Sequence, residues 1–151
     1  MRTRGVGLSE KMVAVAAWES LFRAQVSVMR TLAAEFPTHE ISFNEYDVIF
    51  NLSRQPNWRL RLRELNKHVL LTQPSVSRLI DRLAARGIVA KSIDPNDGRG
   101  TIVELTPEGF ALFREVAFEH MGAISSRVGG SLTLEEMARL TELCDKLRGD
   151  A

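Results

Sequence analysis

Polar side chains able to bind nucleic acid follow one side of a short predicted helix. Its apolar residues recur at three- and four-residue steps and would face a core: Val76, Leu79, Ile80 and Leu83. The opposite side carries four hydrogen-bonding residues: Gln73, Ser75, Ser77 and Arg78. Arginine can bind guanine and glutamine adenine through paired hydrogen bonds, and serine binds a base or a phosphate. The pattern fits a helix in the major groove of DNA, although an ordinary solvated helix face would look the same.

A second candidate is an arginine held between two glycines in the turn Gly98-Arg99-Gly100. Short β-branched segments on either side, residues 88–93 and 101–105, predict a β-hairpin. A guanidinium at the end of such a narrow finger can enter the minor groove, where the negative potential of DNA is concentrated. Asp97 could hold the Arg99 side chain extended through a salt bridge. The alternative is a generic polar hairpin turn.

Basic residues are concentrated in the middle of the chain. Residues 54–99 hold ten Lys/Arg and four Asp/Glu, a net charge of +6, whereas the whole chain carries only +1. This asymmetry indicates a centre that binds a polyanion. Arg82 and Lys91 are expected to hold phosphates there. Asp81 would repel a phosphate, so we expect it to pair with a neighbouring arginine.

The elements around these residues follow the order helix, helix, tight turn, helix and hairpin. A capping box at Ser42–Glu45 opens the first helix of this series, which ends before Pro56. Leucines predict a second helix near residues 60–67, and Thr72 caps a third, which Gly87 ends. This order is that of a winged helix-turn-helix core.

Long helices flank this core. Helical periodicity from about residue 9 to 35 predicts a first helix of about 40 Å. Thr106-Pro107-Glu108 begins a helix after the hairpin, and a capping box at Thr133–Glu136 opens the last helix. The expected fold class is mainly α with a small β-hairpin wing, a winged helix-turn-helix core between N- and C-terminal dimerisation helices.

The predicted organisation is one intimately packed unit with three parts. These are a dimerisation helix at residues 1–40, a DNA-binding domain at 41–105 and dimerisation helices at 106–151. The apolar stripes of the flanking helices exceed what a core of roughly 50 residues can bury, so a second copy should cover them. We therefore expect an obligate homodimer with two recognition helices, suited to half-sites about 34 Å apart.

Composition and motif searches exclude several classes of protein. The 151 residues are 44% apolar and 26% charged, without a membrane-length apolar run or a signal-peptide pattern, so a cytoplasmic protein is expected. The single cysteine, Cys144, excludes an intramolecular disulfide and a cysteine-rich zinc site. A calcium loop starting at Asp94 fails at Arg99 and Leu105, where glycine and glutamate are required. With no catalytic constellation, the sequence predicts neither an enzyme nor a metal or other cofactor.

The region that follows the predicted major-groove helix resembles the signature of MarR-type transcriptional regulators. The matching residues are Leu83, Arg86-Gly87-Ile88-Val89-x-Lys91, Asp94-Pro95-x-Asp97-Gly98-Arg99 and Val103-x-Leu105-Thr106-x-x-Gly109. Lys91 stands where arginine is usual, and Gly98 replaces the commoner arginine, which leaves Arg99 as the main wing residue. The flanking helices agree with that family's dimerisation domain, so the resemblance covers essentially the whole chain.

This resemblance implies a homodimer on a pseudo-palindromic operator in double-stranded DNA, usually as a repressor. Members of the family commonly release DNA when a small aromatic or phenolic ligand binds. The ligand binds in a crevice between the helical region and the winged core. Four aromatic residues could line such a crevice, or could be ordinary core: Trp18, Phe22, Phe43 and Tyr46. The other reading of the chain is a winged-helix module that binds proteins and has no specific DNA site.

Overall fold

The computed structural model describes residues 7–37, 40–69 and 76–149. The elements of these ranges are α1 Leu8–Glu35, α2 Phe43–Ser53, β1 Arg59–Arg61, α3 Leu62–His68, α4 Val76–Ala85, β2 Val89–Asp94, β3 Asp97–Leu105, α5 Pro107–Ile124 and α6 Leu134–Arg148. A tight turn at Pro56–Trp58 precedes β1, and a π-helical turn at Ser125–Gly129 follows α5. None of the helices in these ranges is long and apolar enough to cross a membrane.

The chain divides into two compact units. A winged unit comprises Phe36–Gly122, and a helical unit comprises α1 together with the segment that begins at Ala123. The predicted fold class, mainly α with a winged helix-turn-helix core, is confirmed. The three-part division at residues 40 and 105 stays a prediction.

Local sequence signals set the ends of several helices. Ser42 accepts a hydrogen bond from the backbone N–H of Glu45 at 3.1 Å, while Glu45 accepts one from the N–H of Ser42 at 3.0 Å. The same reciprocal pair joins Thr133 and Glu136 at the start of α6. These bonds confirm both predicted capping boxes. Each box satisfies two N–H groups that the first helical turn leaves unpaired.

The wing is a three-stranded antiparallel sheet in the order β1-β3-β2. The predicted hairpin is confirmed as β2 and β3, but the sequence analysis missed β1. Residues 60 and 61, expected at the start of a helix, instead belong to β1, which pairs with β3 in the register Arg59↔Glu104, Leu60↔Val103 and Arg61↔Ile102. Backbone pairing with this distant strand overrides the local helical pattern, and the helix begins only at Leu62.

The core of the winged unit lies beneath the helix-turn-helix and the sheet. All four apolar residues predicted on the inner side of α4 are buried, at 0–4% exposure: Val76, Leu79, Ile80 and Leu83. They pack with Ile49 and Leu52 of α2, Leu65 of α3 and Val103 of β3. This packing fixes which side of α4 faces outward.

In the helical unit, α1 spans 28 residues and buries one of them, Leu32. The π-helical turn lies against α1, where Arg127 donates a hydrogen bond from its guanidinium to Ser27 Oγ at 3.4 Å. The first half of α1 exposes large apolar side chains: Leu8, Met12, Val13, Val15 and Trp18. Among the residues that the structure describes, few therefore pack against this half of α1.

Candidate nucleic-acid interface

The outer side of α4 is polar and exposed. Ser77, Arg78, Asp81 and Arg82 are all exposed there, opposite the buried apolar residues. Gln73 and Ser75 lie outside the described residues, as does the predicted cap Thr72. The described part of α4 therefore presents a hydroxyl and two guanidinium groups to solvent, as a base- and phosphate-binding helix requires.

An ion pair ties α4 to the wing. Lys91 Nζ of β2 donates to Asp81 Oδ1 of α4 at 2.7 Å. The expected arginine partner of Asp81 is thus corrected to a lysine, because α4 packs directly against β2 and brings Lys91 within reach. Since Asp81 balances its charge, Lys91 is less available to a phosphate than the sequence suggests.

The tip of the wing is the exposed turn Pro95–Asn96, and Arg99 follows it near the start of β3 rather than in the turn that the sequence predicts. Asp97 Oδ1 accepts a hydrogen bond from the backbone N–H of Arg99 at 3.1 Å, so this carboxylate orders the backbone at the start of β3. The contact that the structure records between these residues involves the backbone of Arg99. A salt bridge to the Arg99 guanidinium stays a prediction. Arg99 itself is exposed at the end of the hairpin.

An ion pair between a buried carboxylate and a partly exposed arginine, at the base of this turn, was not predicted from the sequence. Asp94 is 2% exposed, and its Oδ2 lies 2.6 Å from Nε of Arg61 in β1. Its Oδ1 accepts a hydrogen bond from the N–H of Asn96 at 2.9 Å. The available signal was the alternation Arg59-Leu60-Arg61-Leu62-Arg63, which has the two-residue period of a strand.

A groove runs between the start of α3 and the wing. It holds about 290 Å³ and is lined by Arg61, Leu62, Arg63, Asn66, Asp94, Asp97, Arg99, Gly100 and Thr101. Three of these side chains are guanidinium groups, and two are carboxylates. The groove places the Arg61–Asp94 pair beside the exposed Arg99.

The predicted ligand residues are divided equally between the two units. In the winged unit, Phe43 and Tyr46 surround the buried His120, with ring centroids 5.8 and 5.1 Å from the imidazole. Burial raises the pKa of Tyr46 and lowers the pKa of His120 below its ordinary value of 6.5, which favours a neutral imidazole. In the helical unit, Trp18 and Phe22 are 62% and 54% exposed, with ring centroids 5.8 Å apart.

A family model described as the MarR family matches residues 39–100, which contain the helix-turn-helix and most of the hairpin. Among curated proteins, the multiple antibiotic resistance protein MarR of Salmonella typhimurium is 31% identical over 84 residues. That alignment covers 56% of this chain and 58% of MarR, so the chain spans less than two thirds of that relative's length.

Solved structures match nearly the whole chain. The MarR-family transcriptional regulator Sco3205 from Streptomyces coelicolor, solved in complex with DNA, has a TM-score of 0.74 and 27% identity, covering 97% of this chain and 90% of that one. A second match is BpsR of Bordetella bronchiseptica, a protein whose binding to DNA is regulated by 6-hydroxynicotinic acid. It has a TM-score of 0.72 and 29% identity, covering 88% of this chain and 92% of that one. The family model therefore matches the winged core, and the likeness to solved MarR-family regulators extends over the flanking helices.

Proposed function

We propose that this chain is a transcriptional regulator that binds DNA as a homodimer and represses from a pseudo-palindromic operator. The observation that carries the proposal is the pairing, within one winged unit, of an exposed polar face on α4 with an exposed arginine at the wing tip. These are the two features that a winged helix presents to adjacent grooves of DNA. The relative Sco3205 was solved with DNA, which supports the same partner here.

Each part of the interface has a distinct role in this proposal. Base reading in the major groove falls to one set of residues: Gln73, Ser75, Ser77 and Arg78. Arg82 and Lys91 contact phosphates, and Lys91 does so on release from Asp81. Arg99 enters the minor groove from the start of β3, where Asp97 orders the backbone.

The homodimer is supported by the apolar side chains that the single chain leaves exposed. On α6 the exposed leucines are Leu134, Leu140, Leu143 and Leu147, at 43–82% exposure. Together with the first half of α1, the helical unit exposes more large apolar side chains than a monomer of this size ordinarily leaves in water. A two-fold dimer would cover this surface and present two copies of α4 to one face of the DNA.

Control by a small aromatic ligand is the finer part of the proposal. BpsR responds to an aromatic acid, and this chain carries two exposed rings on α1, Trp18 and Phe22. Phe43 and Tyr46 of the winged unit are the other two candidates for contact with the effector. Binding of the ligand would release DNA by changing the distance between the winged units of the two protomers.

Fluorescence anisotropy tests the DNA-binding function. The wild-type protein is titrated with DNA selected from a random pool, and with the fragment upstream of its own gene, across a salt series. We expect specific binding that weakens with a slope of about −0.9 per phosphate contact. Arg78→Ala should lose about 1–3 kcal/mol of specific binding if it reads a base. Adding 6-hydroxynicotinic acid, as the probe for effector control, should release the DNA.

The matched control is Arg139→Ala, which removes an exposed arginine on α6 that pairs with Glu142. It should leave the affinity unchanged. Weak binding that ignores sequence, and ignores both Arg78→Ala and Arg99→Ala, would refute the proposal. The winged unit would then be a protein-interaction module.

A further inference from the structure

We propose that Arg61 is a positioning residue for the wing, acting through Asp94 on the turn that presents Arg99. The inference rests on the proposed DNA-binding function and adds a residue outside both the recognition helix and the hairpin. Arg61 lies on β1, the strand that the sequence analysis did not predict.

The ion pair joins the two outer strands of the sheet across the central one. Arg61 of β1 is opposite Ile102 of β3, and Asp94 ends β2 on the other side of β3. An irregularity in register between Ile93 and Asp94 separates an isoleucine that is 73% exposed from an aspartate that is 2% exposed. The carboxylate is thereby turned inward, toward Arg61.

Asp94 also shapes the turn directly. One of its oxygens accepts the N–H of Asn96, the second residue of the turn, at 2.9 Å, while the other faces Arg61. Gly100 closes over the same side chain, since a Cβ on Gly100 would lie 3.2 Å from Cβ of Asp94. A shift of Asp94 must therefore move the residues on both sides of Arg99.

Burial makes this arrangement depend on Arg61. A carboxylate removed from water is stable only when a positive charge and hydrogen bonds compensate it. Without Arg61, Asp94 would lose the positive charge that it faces and would turn toward solvent. It would then give up the hydrogen bond to Asn96 and release the turn.

A plain phosphate contact by Arg61 makes the opposite prediction for one substitution. Asp94→Asn removes a negative charge from the DNA-binding side and frees the Arg61 guanidinium. Electrostatics alone would therefore strengthen DNA binding. Positioning predicts weaker binding, because the amide no longer holds Arg61 and the turn loosens. The sign of the change separates the two explanations.

The decisive experiment is a double-mutant cycle on the selected operator, measured by anisotropy. We expect Arg61→Gln and Arg99→Ala each to weaken specific binding about tenfold, and the double variant to be no weaker than Arg99→Ala alone. We also expect Arg61→Gln to erase the preference for A·T over G·C pairs under the wing, as Arg99→Ala does. Arg61→Lys keeps the positive charge but loses the Nε group that contacts Asp94. It should therefore bind DNA more tightly than Arg61→Gln and less tightly than the wild-type protein.

Arg63→Gln is the charge-matched control, since Arg63 lines the same groove and forms no ion pair with the residues that the structure describes. Its effect should add to that of Arg99→Ala and leave the A·T preference intact. Thermal unfolding confirms that each variant is folded; if Asp94→Asn is not, the Arg61 cycle decides alone.

The outcomes separate this inference from the function on which it rests. If Arg99→Ala has no effect on binding, the wing does not read DNA, and both proposals are overturned. If Arg99→Ala weakens binding but the effect of Arg61→Gln adds to it in full, only the positioning role is wrong. Tighter binding by Asp94→Asn would also overturn the positioning role.

Discussion

At the scale of single residues, the threonine and glycine of the Thr106-x-x-Gly109 motif join the wing to α5. The Thr106 hydroxyl donates a hydrogen bond to the carbonyl oxygen of Gly87 at 2.6 Å, and it accepts one from the backbone N–H of Gly109 at 3.0 Å. The backbone N–H of Thr106 donates to the Ile88 carbonyl at 3.1 Å. One residue thus caps α5 and anchors its start to the turn after α4.

Gly109→Ala is expected to destabilise the protein, because the added Cβ would collide with the carbonyl of Ile88. That neighbour is backbone and cannot rotate away, so the loss should reach about 2 kcal/mol or more. Chemical denaturation measures it. Gly122→Ala, at an exposed position of the same helix with nothing within 4 Å, should be neutral or stabilising by about 0.5–1 kcal/mol. Equal effects of the two substitutions would contradict this explanation.

At the scale of elements, the position of α4 on the wing depends on contacts from both sides. Its inner side is fixed by apolar packing, and on its outer side Asp81 pairs with Lys91 of the wing. Because Asp81 is 64% and Lys91 42% exposed at the side chain, the pair adds little stability. Its main consequence is electrostatic, since it neutralises a lysine beside the recognition helix.

Asp81→Asn is therefore expected to strengthen DNA binding several-fold and to steepen the salt slope by about 0.9, as Lys91 becomes free to contact a phosphate. Anisotropy across a salt series measures both quantities. Glu104→Gln removes the same charge from an exposed position on β3 without freeing a lysine, and should leave the slope unchanged. An unaltered slope for Asp81→Asn would remove Lys91 from the phosphate contacts.

At the scale of the whole molecule, the single chain leaves its helical unit incomplete. Trp18 and Phe22 on α1, and the leucines of α6, remain exposed. Apolar surface of this extent favours association, because burying it releases about 25 cal/mol per Å².

Sedimentation should therefore give twice the 16.9 kDa chain mass at micromolar concentration. Trp18→Glu should shift the protein toward monomer and reduce operator binding with it, since a charge would be buried in the interface. Ser92→Glu, on the exposed side of β2 in the winged unit, should leave the mass unchanged. A single-chain mass for the wild-type protein would contradict the dimer.

The sequence alone was enough to predict the helices, the hairpin and the buried side of α4. Those features are encoded locally: capping boxes act within three residues, and apolar periodicity shows which side of a helix is buried. The exposed residues Ser77, Arg78, Arg82 and Arg99 followed from the same patterns. Their roles in binding DNA stay predictions.

Only the tertiary structure decided the third strand and the ion pairs at the wing. Arg59–Arg61 is a strand because β3 is present to pair with it, and Asp94 is buried because β1 brings Arg61 to it. Asp81 pairs with Lys91 because the packing of α4 on β2 brings the two side chains together. The alternation at residues 59–63 is compatible with a strand, but no local pattern names the partner of that strand or of either carboxylate, since the partners depend on how the elements pack.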